Sequence, residues 1–187
     1  MPTDSQQRAV IVMEYDATWP LMFSDISVRL ANHLGNLHLR IEHIGSTAVA
    51  GLAAKPIIDI DVVYREHWQF EQIAHKLVEL GYVYQGNLGI EGREAFTIDA
   101  PHHLYVCHET SVELMRHLAF RDYLRAHPPV ASAYGAIKME LTDKYRYDRE
   151  AYTIGKTHFI TEVLEQVAAY LRAMEPAVAS RLFLQGG

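Results

Sequence analysis

Two aspartates, Asp59 and Asp61, stand inside an otherwise apolar run, IIDIDVV, at residues 57–63. A charged pair in such a run is unfavourable unless something compensates it. A divalent cation is the usual compensation, because hard cations take carboxylate oxygens. If the run is a strand, its side chains alternate between faces. Ile58, Ile60 and Val62 then share one face, and Asp59 and Asp61 share the other, roughly 6–7 Å apart. Carboxylates at that spacing can grip one metal ion or a close pair, with Mg²⁺ or Mn²⁺ expected. Upstream, Gly45-Ser46-Thr47 forms a turn whose backbone N–H groups and hydroxyls suit a phosphate. A phosphate cradle beside a metal-binding acid pair is the minimum kit for phosphoryl or nucleotidyl transfer. Each part has a plainer reading. A Gly-Ser-Thr turn is often only a helix cap, and an aspartate at a strand end can face water. The specificity lies in their order and closeness within HIGSTAVAGLAAKPIIDIDVV, residues 43–63.

Further groups fall around this segment. Lys55 lies between cradle and acids and is a point-charge partner for phosphate, or an ordinary solvated loop lysine. His43 is a phosphate contact or a hydrogen-bonded structural histidine. The eleven histidines include one adjacent pair, His102-His103, and no HExxH spacing. Adjacent strand residues point to opposite faces, so one of the two reaches the acids. The phase groups His103 with Tyr105 and Cys107, and His102 with the more apolar Leu104 and Val106, which selects His103. Lys138, Lys144, Arg146 and Lys156 read mostly as solvated faces, while Tyr152 and Lys156, four apart on one helix face, are candidates to overhang the site together.

Composition bounds the function. The chain has 187 residues, is 49% hydrophobic and carries a net charge of −6. That suits one domain over 1–187, with a core over about 10–110 and packed helices over about 111–175. The negative balance opposes bulk nucleic-acid binding. The single cysteine, Cys107, permits no internal disulfide and reads as a buried thiol in a reducing cytoplasm. The start, MPTDSQQRAV, has no charged-then-apolar leader pattern. No apolar run approaches the ~20 residues of a membrane helix.

The elements that must position these groups follow from periodicity. Residues 1–8 read as loose and 10–15 as an edge strand. A helix over 20–34 opens at Pro20, presents Leu21, Ile26, Val28, Leu30 and Leu34, and stops at Gly35. Strands are expected over 37–44, 57–64 and 82–85, with a hairpin over 94–99 and 103–108. A helix over 67–80 separates the second and third strands. Helices follow over 111–126, 130–145 and 149–174, broken at His127-Pro128-Pro129. Residues 175–187 receive no assignment. The class is α+β, a mixed sheet flanked by helices with a helical C-terminal third.

The chain resembles the GrpB family, within the polymerase-beta-type nucleotidyltransferase superfamily. The resemblance spans residues 10–167. It rests on YDATWP at 15–20, the segment at 43–63, GREAF at 92–96 and HHLYV at 102–106. HLAFRDYLRAHP at 117–128 and REAYTIGKTHFI at 149–160 complete it. It implies a nucleotidyltransferase-like sheet with a metal on Asp59 and Asp61. It further implies a nucleoside triphosphate held by Gly45, Ser46 and Thr47 with Lys55, and a substrate contact at Arg93. The gap from Gly45 to Asp59 is longer than in active nucleotidyltransferases. No third acid follows in an apolar strand; His103 stands there as a substitute metal ligand. Two functions are therefore expected. One is transfer of a nucleotidyl group to a small-molecule or protein acceptor; the other is a regulatory binding module that has lost transfer.

Overall fold

A computed structural model describes residues 9–174. The expectations for residues 1–8 and 175–187 lie outside the described residues. The chain forms two compact units, one comprising Ala17–Ala48 and Ile57–Leu118. The other comprises, among the described residues, 9–16, Val49–Pro56 and 119–174. The boundary differs from a simple division between an N-terminal core and C-terminal helices. Backbone pairing explains why: Met13 bridges Ala54, and Val10 N–H donates to the Arg146 carbonyl at 2.7 Å.

The first unit holds a five-stranded mixed sheet, with β1 at Arg40–Ile44, β2 at Ile58–Tyr64 and β3 at Val83–Gly86. β4 runs over Glu94–Thr97 and β5 over His102–His108. The order is β1-β2-β5-β4-β3, and only β2 and β5 are parallel. That parallel pair requires a crossover, which helix α2 (Gln69–Glu79) and the β3–β4 hairpin supply. Ile58, Ile60 and Val62 are fully buried on one face of β2. Helix α1 (Trp19–Leu34) packs on β1 and β2. It lies on this same face, because its Phe23 stacks on His43, the β1 residue opposite Ile60.

Helix α1 buries Trp19, Ile26, Leu30 and Leu34, whereas Leu21 and Val28 are exposed. Residues 26, 30 and 34 recur every fourth position and form one stripe; 21 and 28 fall outside it. Residues 35–37 form a 3-10 turn rather than the start of β1. The expected edge strand over 10–15 reduces to the single Met13–Ala54 bridge. The helix at Val112–Ala126, α3, begins in this unit, where Leu114 and Leu118 pack against Val63 and Cys107 on the aspartate face.

The second unit is helical. It contains the end of α3, α4 (Pro128–Lys144) and α5 (Arg149–Met174). Pro128 and Pro129 open α4 rather than preceding it, because proline is tolerated where helical N–H groups lack partners anyway. Leu52, Leu124, Ala131 and Tyr134 build one apolar cluster; Val10, Val12, Ala53 and Tyr152 build another.

The turn after β1 has one strict requirement. Gly45 has φ +69°, and a Cβ there would collide with Asp59 Oδ2. A side chain would meet both backbone strain and a carboxylate. Gly45→Ala is therefore expected to destabilise the protein by about 1–3 kcal/mol. Urea denaturation measures this, and an unchanged midpoint would show that the turn has slack.

Candidate active site

β2 delivers both acids to one face, and the register of its neighbours completes the surroundings. Asp59 lies opposite Ile44 on β1 and His103 on β5. Asp61 lies opposite Glu42 and Tyr105. Tyr105 in turn faces Ala95 on β4, and the strand alternation brings Arg93 to the same side. Its guanidinium sits over the Tyr105 ring at 4.4 Å from the centroid. Arg93 Nε is buried and has no hydrogen-bond partner.

The two acids have different environments. Asp59 is partly open, its side chain 29% exposed, and pairs with His103 Nδ1 at 2.9 Å. Its carboxylate rests against Gly45, so the turn and the acid touch. Asp61 has no exposed side-chain surface, and burial pushes its carboxyl up further than the hydrogen bond and charge of His117 bring it down. His117 Nδ1 bonds its Oδ2 at 2.8 Å, and the Cys107 thiol points to Oδ1 at 4.0 Å. His117 Nε2 reaches Glu113 Oε1 at 3.3 Å, so one imidazole bridges two carboxylates. Burial opposes a charge on His117, but the hydrogen bonds to Asp61 and Glu113 outweigh it and raise its pKa to about 9. The bond to His117 likewise holds Glu113 below its usual carboxyl range. Burial, then the Asp61 charge, push the Cys107 thiol up, which keeps it protonated and inert.

The sequence-derived candidates separate into groups. Gly45, Asp59, Asp61, His103 and Arg93 share one sheet face and its adjoining turn. Ser46 is half-buried in the 3-10 turn Ser46–Ala48. Thr47 is buried, bonds His43 Nε2 at 3.0 Å and donates to the Ile57 carbonyl at 3.3 Å. Its hydroxyl ties β1 to the start of β2. His102 turns away from the acids, buried, and pairs with the Tyr82 hydroxyl at 2.7 Å. Lys55 belongs to the helical unit, where it lies near Tyr152.

His117 and Glu113 were missed. The signal was present: Glu113 and His117 are four apart in a helix and so share a face. Nothing local aimed that face at β2; the Leu114 and Leu118 contacts do so.

These residues fit a divalent ion only in part. Asp59 and His103 are both accessible and offer one oxygen and one nitrogen. Asp61 is closed by His117. Among the described residues no three His, Cys, Asp or Glu side chains form a group that could hold a metal. Of the expected ligands Asp59, Asp61 and His103, only Asp59 and His103 are accessible, since Asp61 is closed by its bond to His117.

This pair gives stability a definite pH dependence. His117 has a pKa of about 9 folded and about 6.5 unfolded. Its contribution is complete below about pH 6.5 and is lost as pH rises through about 9. Chemical denaturation between pH 6 and 10 should show this decline, and His117→Gln should flatten it. An equal slope in the variant would remove His117 as its source.

The chain has relatives along most of its length. A family model described as GrpB protein matches residues 9–166. The UPF0157 protein YqkA of Bacillus subtilis (strain 168) is 32% identical over 177 residues, covering 93% of this chain and 52% of that protein. The chain thus spans about half the length of YqkA. The glutamate-rich protein GrpB of Alkalihalophilus pseudofirmus is 32% identical over 166 residues, covering 84% of this chain and 95% of that protein. The crystal structure of the conserved protein GrpB from Enterococcus faecalis superposes with a TM-score of 0.78 at 34% identity, covering 86% of this chain and 99% of that one. With a mixed sheet, a helical C-terminal part and a family match over most of its residues, the chain belongs to the GrpB family.

Proposed function

We propose that the chain binds a nucleoside triphosphate together with one divalent ion, Mg²⁺ or Mn²⁺, and transfers its nucleotidyl group to a small-molecule or protein acceptor. The observation that carries this reading is the contact between Asp59 and Gly45. An accessible carboxylate sits against a glycine turn that leaves no room for a side chain. A ligand reaching Asp59 also meets the turn at Gly45 and Ser46. Asp59 and His103 hold the ion, which when bound supplies positive charge to the phosphate oxygens. Gly45 and Ser46 border the phosphates. The buried, unpartnered Arg93 Nε is a donor for a substrate oxygen. In the transfer an acceptor oxygen bonds to the α-phosphorus, and the bond to pyrophosphate breaks.

One observation favours a second reading, a nucleotide-binding regulatory module without transfer. Asp61 is sealed by His117, so the site lacks a second open carboxylate. Both readings place the protein in the cytoplasm, consistent with one buried, unpaired cysteine. Both exclude bulk nucleic-acid binding, given the net charge of −6. Among the described residues no helix is long and apolar enough to cross a membrane.

Calorimetry with a panel of nucleoside triphosphates tests the shared part. Binding should require Mg²⁺ or Mn²⁺ and weaken at least tenfold in Asp59→Asn. Metal-independent binding, or binding indifferent to Asp59, would overturn both readings. Pyrophosphate release with a pool of acceptors then separates transfer from a binding module.

The imidazole ligand sets the choice of metal. A neutral imidazole suits Mn²⁺ better than Mg²⁺. Nucleotide binding should therefore prefer Mn²⁺, and His103→Ala should remove the preference while His103→Asp shifts it toward Mg²⁺. The same metal ratio in all three proteins would exclude His103 from the ligand set.

A further inference from the structure

Arg93 is held at both ends, yet its guanidinium has no acceptor. Gly92 before it has φ +75°, and a Cβ there would lie 2.9 Å from Ser111 Oγ. Ser111 in turn accepts from the Leu114 N–H at 3.4 Å in the first turn of α3. The backbone that leads into Arg93 is therefore packed against α3. At the other end Cζ sits 4.4 Å from the Tyr105 ring centroid. Among the described residues the guanidinium makes no hydrogen bond and no ion pair, and its Nε is buried. A ring face attracts the charge, but it does not replace the oxygens that an N–H group leaves behind in water.

Acids stand nearby, and each has another partner. Asp61 is opposite Tyr105 and bonds His117. Glu113 takes the other nitrogen of that imidazole and also pairs with Arg116. Glu94, next in the chain, accepts from the Tyr84 hydroxyl at 2.6 Å. Asp59 pairs with His103. An arginine that served only to balance these acids would pair with one of them. Solvent reaches this face: Arg93 and Tyr105 are half-buried, and the His103 ring, 6.4 Å from that of Tyr105, belongs to a side chain that is 43% exposed.

The place of Arg93 on the sheet selects what it meets. The Gly45 turn follows β1, and the order β1-β2-β5-β4 puts β4 three strand spacings away, roughly 14 Å. Asp59 on β2 and His103 on β5 lie between. Phosphates at Gly45 and Ser46 are thus on the far side of that pair from Arg93. A nucleoside has no anionic oxygen apart from its phosphates, so an oxyanion at Arg93 belongs to the other substrate.

We propose that the acceptor is a small anionic molecule whose carboxylate or phosphate is bound by Arg93 above Tyr105, with its hydroxyl directed at Asp59 and His103; this rests on the nucleotidyl-transfer reading. A guanidinium fork matches either oxyanion. Tyr105 and His103 are two residues apart on one strand face, roughly 6–7 Å. That step leaves room for a few carbons between oxyanion and hydroxyl, as in a hydroxy acid or a hydroxylated phosphate monoester.

The test is the Arg93 Nε–H resonance in the ¹⁵N spectrum of the full chain with Mg²⁺, assigned by its disappearance in Arg93→Lys. Glycerate and glycerol 3-phosphate are titrated, with glycerol as the uncharged control. At least one anion should shift the resonance saturably, and glycerol should not. Tighter glycerate assigns the acceptor to hydroxy acids, and tighter glycerol 3-phosphate to phosphate esters. By calorimetry Arg93→Gln should weaken that anion roughly tenfold, the loss of a charge-assisted hydrogen bond, and leave the affinity for Mg²⁺-nucleoside triphosphate unchanged. Circular dichroism checks that this variant folds; Arg93→Lys, which keeps the charge but loses the fork, carries the test by a smaller loss if it does not. The same anion should raise pyrophosphate release above the glycerol control. No saturable shift with either anion, an anion affinity unchanged in the variants, equal weakening of anion and nucleotide, or no rise in release would overturn the proposal. If the wild type binds no nucleotide while an anion still shifts Nε–H, the transfer reading fails and the oxyanion site at Arg93 stands.

Discussion

The sheet unit depends on how it neutralises Asp61. A carboxylate with no exposed surface cannot remain ionised among Ile60, Val62 and Val63 without a partner. His117 is that partner, and Glu113 holds the imidazole in its charged form from the other side. The three groups must be assembled together. Removing His117 would leave a buried acid uncompensated, a loss that commonly reaches 3–5 kcal/mol. The packing of Leu114 and Leu118 on Val63 and Cys107 places the imidazole, so apolar burial and ion pairing fix the same helix face. β2, β5 and the start of α3 are thereby locked at one point.

That arrangement gives two aspartates on one strand face different chemistry. Alternation alone makes them equivalent, and the sequence offers no other distinction. Asp61 sits deeper, beneath the α3 contacts, and serves as a counter-ion. Asp59 sits at the end of β2 that adjoins the Gly45 turn, where a glycine clears space and His103 supplies one hydrogen bond. An open carboxylate beside backbone can bind a ligand; a sealed one can only shape the electrostatics around it. This difference separates the present site from a symmetric acid pair.

Much of this could be read from the sequence, for identifiable reasons. The strand phase of Asp59 and Asp61 follows from period-two alternation, and the same argument turned His103 toward the acids and His102 away. The helices at 19–34, 112–126, 128–144 and 149–174 follow from proline, glycine and apolar spacing. Features set by distant contacts were not readable. Leu21 and Val28 look like core residues until the buried stripe of Ile26, Leu30 and Leu34 is known. The bonds of the Thr47 hydroxyl to His43 and the Ile57 carbonyl depend on the same distant packing. The four-residue spacing of Glu113 and His117 was legible, but the β2 partner that gives His117 its role is far away in sequence, and no local pattern encodes it.

The two units meet the problem of buried charge in opposite ways. In the sheet unit the charge is balanced within the fold: Asp61, His117 and Glu113 form a closed set, and Cys107 is held inert beside it. In the helical unit Lys138 is buried with cations for neighbours and a carbonyl for its acceptor. A carbonyl satisfies a hydrogen bond but not a charge. In the first arrangement burial still pushes the Asp61 carboxyl up, against the bond and charge of His117 that lower it. The charge that the fold leaves unbalanced is therefore better evidence of a ligand than the charge it conceals. In the sheet unit the carboxylate left open is Asp59 and the concealed one is Asp61, which is why the proposed ligand is assigned to Asp59.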